Sequence, residues 1–282
     1  RRARRVRAPA RTGSPAADAG NNGTVCAGSG TSVSIGGIPT AVGGTSPYVY
    51  AWGSSPAGFS SSLSNPSVTP TATTTYYVTV TDAKGCTSVD SILVTLNPAP
   101  IADAGADTTI CSGVCVTLGT QTTGSGGTGR LEYAWSPTVG LNANNSSNPL
   151  ACPLVTTTYN VVVTDDNGCS ATDAITITIN SNPVANAGVD QTLVNCTADS
   201  LAVGGSPSAA GGAGGYNYAW SPVTGLSSST VSNPVVKGLG VSQLYTLVVT
   251  DANGCSAEDA VVVNVVPSTL TAEAGTDGSY CA

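Results

Sequence analysis

The sequence predicts an all-β chain: three tandem copies of one small sandwich module, followed by the first strand of a fourth. Three observations predict it. Cys26, Cys111, Cys196 and Cys281 recur at one fixed step of ~85 residues, and a constant step on that scale marks a repeated structural unit. Each complete copy carries the same motifs in the same order: a cysteine, Tyr-Ala-Trp, Asn-Pro, and Thr-Asp-x-x-Gly-Cys. Short runs of Thr, Val, Ile and Tyr alternate apolar with polar between Gly, Ser, Asn and Pro clusters, and no helical period persists. The period sets the domains: an Arg-rich leader at 1–16, repeats at 17–100, 101–182 and 183–267, and a truncated restart at 268–282.

Each repeat is read from its amino end. A short strand holds Val33 and Ile35 (Val116 and Leu118; Leu201 and Val203) and runs into Gly-rich segments at 36–47, 119–129 and 204–215, expected as flexible loops of variable length. Next comes an aromatic strand. Tyr50 and Trp52, Tyr133 and Trp135, Tyr218 and Trp220 lie two residues apart and so share a face, where one indole fills the centre of a small sandwich. The competing reading of Trp52, Trp135 and Trp220 is an exposed aromatic platform for sugars. The last two strands form a hairpin: Tyr76, Val78 and Val80 alternate, Asp82-Ala83-Lys84-Gly85 turns the chain, and Ile92, Val94 and Leu96 alternate again. Its counterparts turn at Asp165-Asp166-Asn167-Gly168 and Asp251-Ala252-Asn253-Gly254, where Asn-Gly gives ready access to positive φ.

A module of this size buries only about 60% of the surface its unfolded chain exposes, so covalent staples matter. The separation from first to last cysteine is nearly constant, roughly 60 residues in every copy, as in a disulfide framework. It pairs Cys26 with Cys86, Cys111 with Cys169, and Cys196 with Cys255. Cys115 and Cys152 occur only in the second copy and are left to each other; Cys281 is left without a partner in the chain. Disulfides on this scale imply an oxidising compartment and hence a secreted or cell-surface protein.

Composition excludes several functions. The formal charge is −7, and six of the nine basic residues lie in the first eleven positions. The repeats therefore hold Lys84, Arg130 and Lys237 against sixteen carboxylates in the chain, too few cations to neutralise a phosphate backbone, so no nucleic-acid partner is expected. Histidine is absent, which removes histidine-based triads and most zinc chemistry. With the cysteines committed to pairs, no nucleophile remains, and the chain is not expected to be an enzyme. No apolar stretch approaches the length of a transmembrane helix.

The Ala-Asp-Ala-Gly-x-Asp opening at 102–107, the Tyr-x-Trp strand, the Tyr-x-Val-x-Val-Thr-Asp-x-x-Gly run and the closing alternating strand resemble PKD-type immunoglobulin-like domains. The early cysteine and the Asn-Gly-Cys turn are similar to repeats of large secreted or surface proteins of Bacteroidetes. The resemblance covers all three repeats and implies a seven-stranded sandwich with a role in spacing, adhesion or assembly. It also implies that the regular disulfide ties an initial edge strand to the last hairpin of the same module, and that Cys115 and Cys152 sit on neighbouring strands. Many PKD domains follow the Trp with an acidic Gly-rich loop; here Trp135-Ser136-Pro137 and Trp220-Ser221-Pro222 follow instead, and functions tied to that loop do not carry over.

Three further sites are expected from local pattern. No cofactor is required, though Asp103 and Asp107 could bind calcium together with linker carbonyls. Asp90-Ser91-Ile92, Asp107-Thr108-Thr109 and Asp199-Ser200-Leu201 resemble the Bacteroidetes O-glycosylation pattern, which implies sugars on Ser91, Thr108 and Ser200. The functional expectation is a structural array, a rod, stalk or surface filament that self-associates or belongs to a longer repeat chain. The alternative is an adhesin or carbohydrate-binding array that recognises surface glycans through the loops before the Tyr-x-Trp strand.

Overall fold

A computed structural model describes residues 13–195 and 200–267. The expectations for residues 1–12, for Cys196 and for 268–282 with Cys281 lie outside the described residues. Every regular element among the described residues is a β-strand.

Repeat 1 contains β1 (Pro15–Ala17), β2 (Gly23–Cys26), β3 (Val33–Ser34), β4 (Ala41–Gly43), β5 (Val49–Ser55), β6 (Ser67–Val68), β7 (Thr74–Thr81) and β8 (Thr87–Asn97). β2, β8, β7 and β5 form a four-stranded sheet in that order, while β1 pairs with β4 and β3 with β6. β7 runs antiparallel to both β5 and β8, whereas β2 runs parallel to β8. In a seven-stranded immunoglobulin-like sandwich, the third, sixth and seventh strands form one sheet and the first, second and fifth belong to the other. This is that topology, with the first strand split so that its second half joins the last strand. The same order recurs in the sheets built on Leu131–Ser136, Thr157–Asp165 and Ser170–Asn180, and on Asn217–Ser221, Gln243–Thr250 and Ser256–Pro267.

Contacts gather the chain into two units. One runs up to Ala106 and takes in Thr117–Leu150 and Thr158–Ile175; the other contains Asp107–Val116 and Ala151–Thr157 and continues from Thr176. The boundary therefore passes through repeat 2. Each unit holds a core made by strand alternation. In the first, Tyr76, Val78 and Val80 on β7 and Ile92 and Val94 on β8 are buried around Trp52. In the second, Tyr245, Leu247, Val249, Val261 and Val263 surround Trp220.

All three indoles lie inside. Trp52, Trp135 and Trp220 are 4%, 2% and 3% exposed, which rules out a sugar platform at these residues. Each indole N–H donates to the carbonyl eleven residues on, to Leu63, Ser146 and Val231 at 2.9, 2.9 and 3.0 Å. The segment that supplies those carbonyls also covers the open edge of the aromatic strand, since the Trp backbone N–H groups donate to Ser61, Asn144 and Ser229.

The Gly-rich segments before the aromatic strand differ from the expected flexible loops. Each contains a three-residue strand, Ala41–Gly43, Gly124–Gly126 or Ala209–Gly211, paired antiparallel with the first strand of its repeat. A polar residue at the start of each, Thr40, Thr123 or Ser208, is 2% exposed. Paired backbone and a buried hydroxyl anchor these segments although their composition reads as loop.

Candidate functional site: the disulfide junctions

The cysteines sit at opposite ends of each sandwich. Cys26 ends β2 and lies in register with Asn97 at the far end of β8. Cys86 precedes the first residue of β8, eleven residues before Asn97, so about 36 Å of strand separates the two positions at ~3.3 Å per residue. Cys111 is likewise in register with Asn180, eleven residues beyond Cys169. A disulfide needs Cα atoms within about 7 Å. The expected bonds inside each repeat are therefore geometrically impossible, because the parallel pairing of the first and last strands sends the two cysteines to opposite poles.

The bonds join successive repeats instead. In the first unit Cys26 is bonded to Cys169, with Cα atoms 5.5 Å apart. In the second Cys111 is bonded to Cys255 at the same Cα separation. The first cysteine of one repeat thus bonds the last cysteine of the next, 143 and 144 residues further on. Because Cys255 is taken by Cys111, the expected Cys196–Cys255 bond does not form, and Cys86 is a free thiol. Cys115 and Cys152 are bonded to each other. They end up close because Cys115 directly precedes the strand Val116–Thr117 and Cys152 directly follows the strand Leu150–Ala151, and these two strands pair.

One carboxylate fixes each receiving cysteine. Asp82 Oδ1 accepts from the N–H groups of Lys84 and Cys86 at 2.9 and 2.8 Å. Asp165 Oδ1 holds Asn167 and Cys169 in the same way, and Asp251 Oδ1 holds Asn253 and Cys255. The other oxygen reaches across to the Gly-rich segment and accepts from Thr45, Thr128 or Ala213. The last turn residue, Gly85, Gly168 or Gly254, has φ of 78°, 78° and 79°, a region that glycine enters without strain. For Asp251, the Ala213 N–H lowers the carboxyl pKa most; burial opposes it, and the Cys255, Asn253 and Gly254 N–H groups reinforce it, so the net value falls below the ordinary one. For Asp82 burial is the largest influence and raises the pKa, but the N–H groups of Cys86, Thr45 and Lys84 and the Lys84 charge together outweigh it. The sequence marks these aspartates as turn residues; that they aim the disulfide cysteines follows only from the hydrogen bonds.

The Asn of each Asn-Pro motif has a structural role that the sequence reading leaves unassigned. Asn65 and Asn233 donate through Nδ2 to the carbonyls of Gly37 and Gly205, and Asn148 donates to those of Leu118 and Thr120. The motif's recurrence in all three copies is the available signal. A hollow of about 430 Å³ beside the Cys26–Cys169 bond is lined largely by Gly and Ser, among them Gly28, Ser29, Gly168 and Ser170.

The calcium candidates are engaged separately. Asp103 accepts from the Gly105 N–H and the Thr120 hydroxyl, while Asp107 accepts from the Thr176 N–H. No group of three or more Cys, Asp or Glu side chains that could hold a metal stands together among the described residues. Of the glycosylation candidates, Ser200 is exposed and Ser91 and Thr108 are half-buried.

No protein-family model matches the chain, and no curated protein matches it. Among solved structures, a segment of three titin immunoglobulin domains is similar at 10% identity and TM-score 0.45, covering 88% of this chain and 96% of that one. The N-terminal eight immunoglobulin domains of Down Syndrome Cell Adhesion Molecule are similar at 13% identity and TM-score 0.47, covering 90% of this chain and 37% of that one. Mouse cadherin-23 domains EC22–24 are similar at 12% identity and TM-score 0.29, covering 91% and 100%. The immunoglobulin-like fold of this chain stands on its own strand order and register.

Proposed function

We propose that the protein is an extracellular structural array, a rod, stalk or surface filament whose immunoglobulin-like repeats are stapled to one another. The observation that carries this reading is the pair of bonds Cys26–Cys169 and Cys111–Cys255. A bond inside a repeat protects that repeat alone. A bond between repeats gives each junction a second covalent connection beside the linker, and two points of attachment restrict swivelling that a single short linker such as Asn97-Pro98-Ala99-Pro100 permits. Disulfides of this kind persist in oxidising surroundings, which supports a secreted or cell-surface location.

The test is small-angle scattering of the full chain. Three modules of ~40 Å placed end to end make a rod on the order of 120 Å long, with a radius of gyration of about 35 Å. A value of about 19 Å, that of a compact globule of this length, overturns the rod. Adhesion to surface glycans is the competing reading, and its recognition loops would be the segments that the structure pairs into the sheet. A glycan-array screen with clear hits that are lost on substitutions in 36–47, 119–129 or 204–215 would favour it.

A further inference from the structure

The two inter-repeat bonds follow one rule, and one cysteine obeys the rule without a partner in hand. Cys86 occupies in repeat 1 the place that Cys169 and Cys255 occupy in repeats 2 and 3. Its backbone is held identically: the Asp82 N–H donates to the Cys86 carbonyl at 3.0 Å, as Asp165 does to Cys169 and Asp251 to Cys255 at 2.9 Å. Asp82 Oδ1 accepts the Cys86 N–H just as its counterparts do. Only the covering differs, for Cys169 and Cys255 are each 1% exposed, whereas the Cys86 thiol is free and half-buried. The other described cysteines are all bonded. A partner placed by the same rule would stand 143 or 144 residues earlier, which falls before residue 1.

We propose that Cys86 is the receiving half of a further inter-repeat disulfide, and that a second copy of this chain supplies the donor: a repeat whose early strand ends in a cysteine. The donor has the form of Gly23–Cys26 or Thr108–Cys111, a strand parallel to the last strand of its own repeat that delivers a cysteine at its far end. In repeat 3 the sequence puts Cys196 at that position, and its expected partner Cys255 is occupied by Cys111. The second copy is the favoured occupant because this chain's own repeats twice show the same two surfaces meeting.

The reaction is a two-electron oxidation by a low-molecular-weight disulfide. The Cys86 thiolate attacks one sulfur of the oxidant, forms a mixed disulfide and expels one thiolate. The incoming cysteine thiolate then attacks Cys86 Sγ and expels the second. Two S–H bonds are lost, one S–S bond forms between the chains, and the oxidant leaves as two thiols that carry the two protons.

The full chain is incubated in an oxidised/reduced glutathione buffer, separated on a non-reducing gel, and its disulfides are mapped by mass spectrometry. The expected result is a ladder of oligomers that collapses to monomer on reduction. Within it, Cys86 is joined to Cys196 of another copy, while Cys26–Cys169 and Cys111–Cys255 stay intact. Cys86→Ser and Cys196→Ser each abolish the ladder. A chain that stays monomeric, Cys86 joined only to glutathione, Cys86 joined to a cysteine of its own chain, or a Cys86–Cys86 dimer overturns the proposal. The inference does not rest on the rod: monomer scattering tests the shape, and the ladder tests Cys86.

Discussion

Stretching the chain in its oxidised and reduced forms gives the sharpest test of the disulfide pattern. The three bonds are linked in series through repeat 2. From Gly13 the backbone runs thirteen residues to Cys26 and crosses to Cys169. It then runs seventeen residues back to Cys152, crosses to Cys115, and runs four residues to Cys111. Finally it crosses to Cys255 and runs twelve residues to Pro267. The shortest covalent path between residues 13 and 267 is thus 46 residue steps and three bridges, against 254 steps in the reduced chain. At ~3.5 Å per residue, with the bridges adding about 15 Å from their Cα separations of 5.5, 4.3 and 5.5 Å, the oxidised array stops at about 175 Å however many repeats unfold. The reduced array reaches about 900 Å by the same arithmetic. Single-molecule force spectroscopy on a chain held at its two ends reads this contour length directly. Replacing Cys115 and Cys152 by Ser reopens the detour from Cys169 to Cys111, roughly 58 residues in place of 21, and lengthens the limit by about 130 Å. Oxidised protein that extends in steps to the reduced length would refute the inter-repeat pairing and the mechanical argument built on it.

Other outcomes follow from the same geometry. Cys26→Ser with Cys169→Ser opens a loop that spans 143 residues and costs about 5 kcal/mol in the chain-entropy model, read by guanidinium unfolding; Cys86→Ser leaves the monomer's stability unchanged, and a loss of ~4 kcal/mol there would restore bonding inside repeat 1. Trp135→Ala, at a site 2% exposed whose indole N–H bonds the Ser146 carbonyl, costs about 3–5 kcal/mol; a loss under ~1 kcal/mol in the same assay would contradict its place in the core. Because the folded-state pKa of Asp251 is depressed below its ordinary 3.8, its contribution is complete above that value and is lost as the pH falls below it towards the folded pKa. Melting temperature should therefore hold from neutral pH to about 4 and fall below it, less steeply in Asp251→Asn; a midpoint decline already complete by pH ~5 would contradict the assignment. A chelator leaves the melting temperature unchanged, and a drop of several degrees reversed by calcium but absent in Asp103→Asn would place the ion at the repeat entrance.

Much of the fold is legible in the chain because its signals are local. Tyr76, Val78 and Val80 alternate as a buried strand face, and all three are inside. Leu96, the third apolar residue on β8, is only partly buried, because the strand outruns the sandwich at that end. The Gly-rich segments read as loops in the sequence because composition reports backbone freedom and cannot report a pairing partner: Ala41–Gly43 is held by Pro15–Ala17 across the other sheet. The Asp of the hairpin turn is visible as a turn residue, but its second oxygen acts on Thr45, Thr128 or Ala213, more than thirty residues away in sequence.

The cysteines divide the two kinds of information most clearly. The sequence by itself determined that there are three equivalent sandwiches, that each carries an early and a late cysteine, and that Cys115 and Cys152 belong to the second alone. Spacing could not choose among pairings, since the separations within copies are as regular as those of 143 and 144 between them. Tertiary structure decided the matter through strand direction. Because β2 runs parallel to β8, Cys26 is carried to the end of β8 opposite Cys86, and a bond that reaches only a few ångströms is left to form with the next repeat.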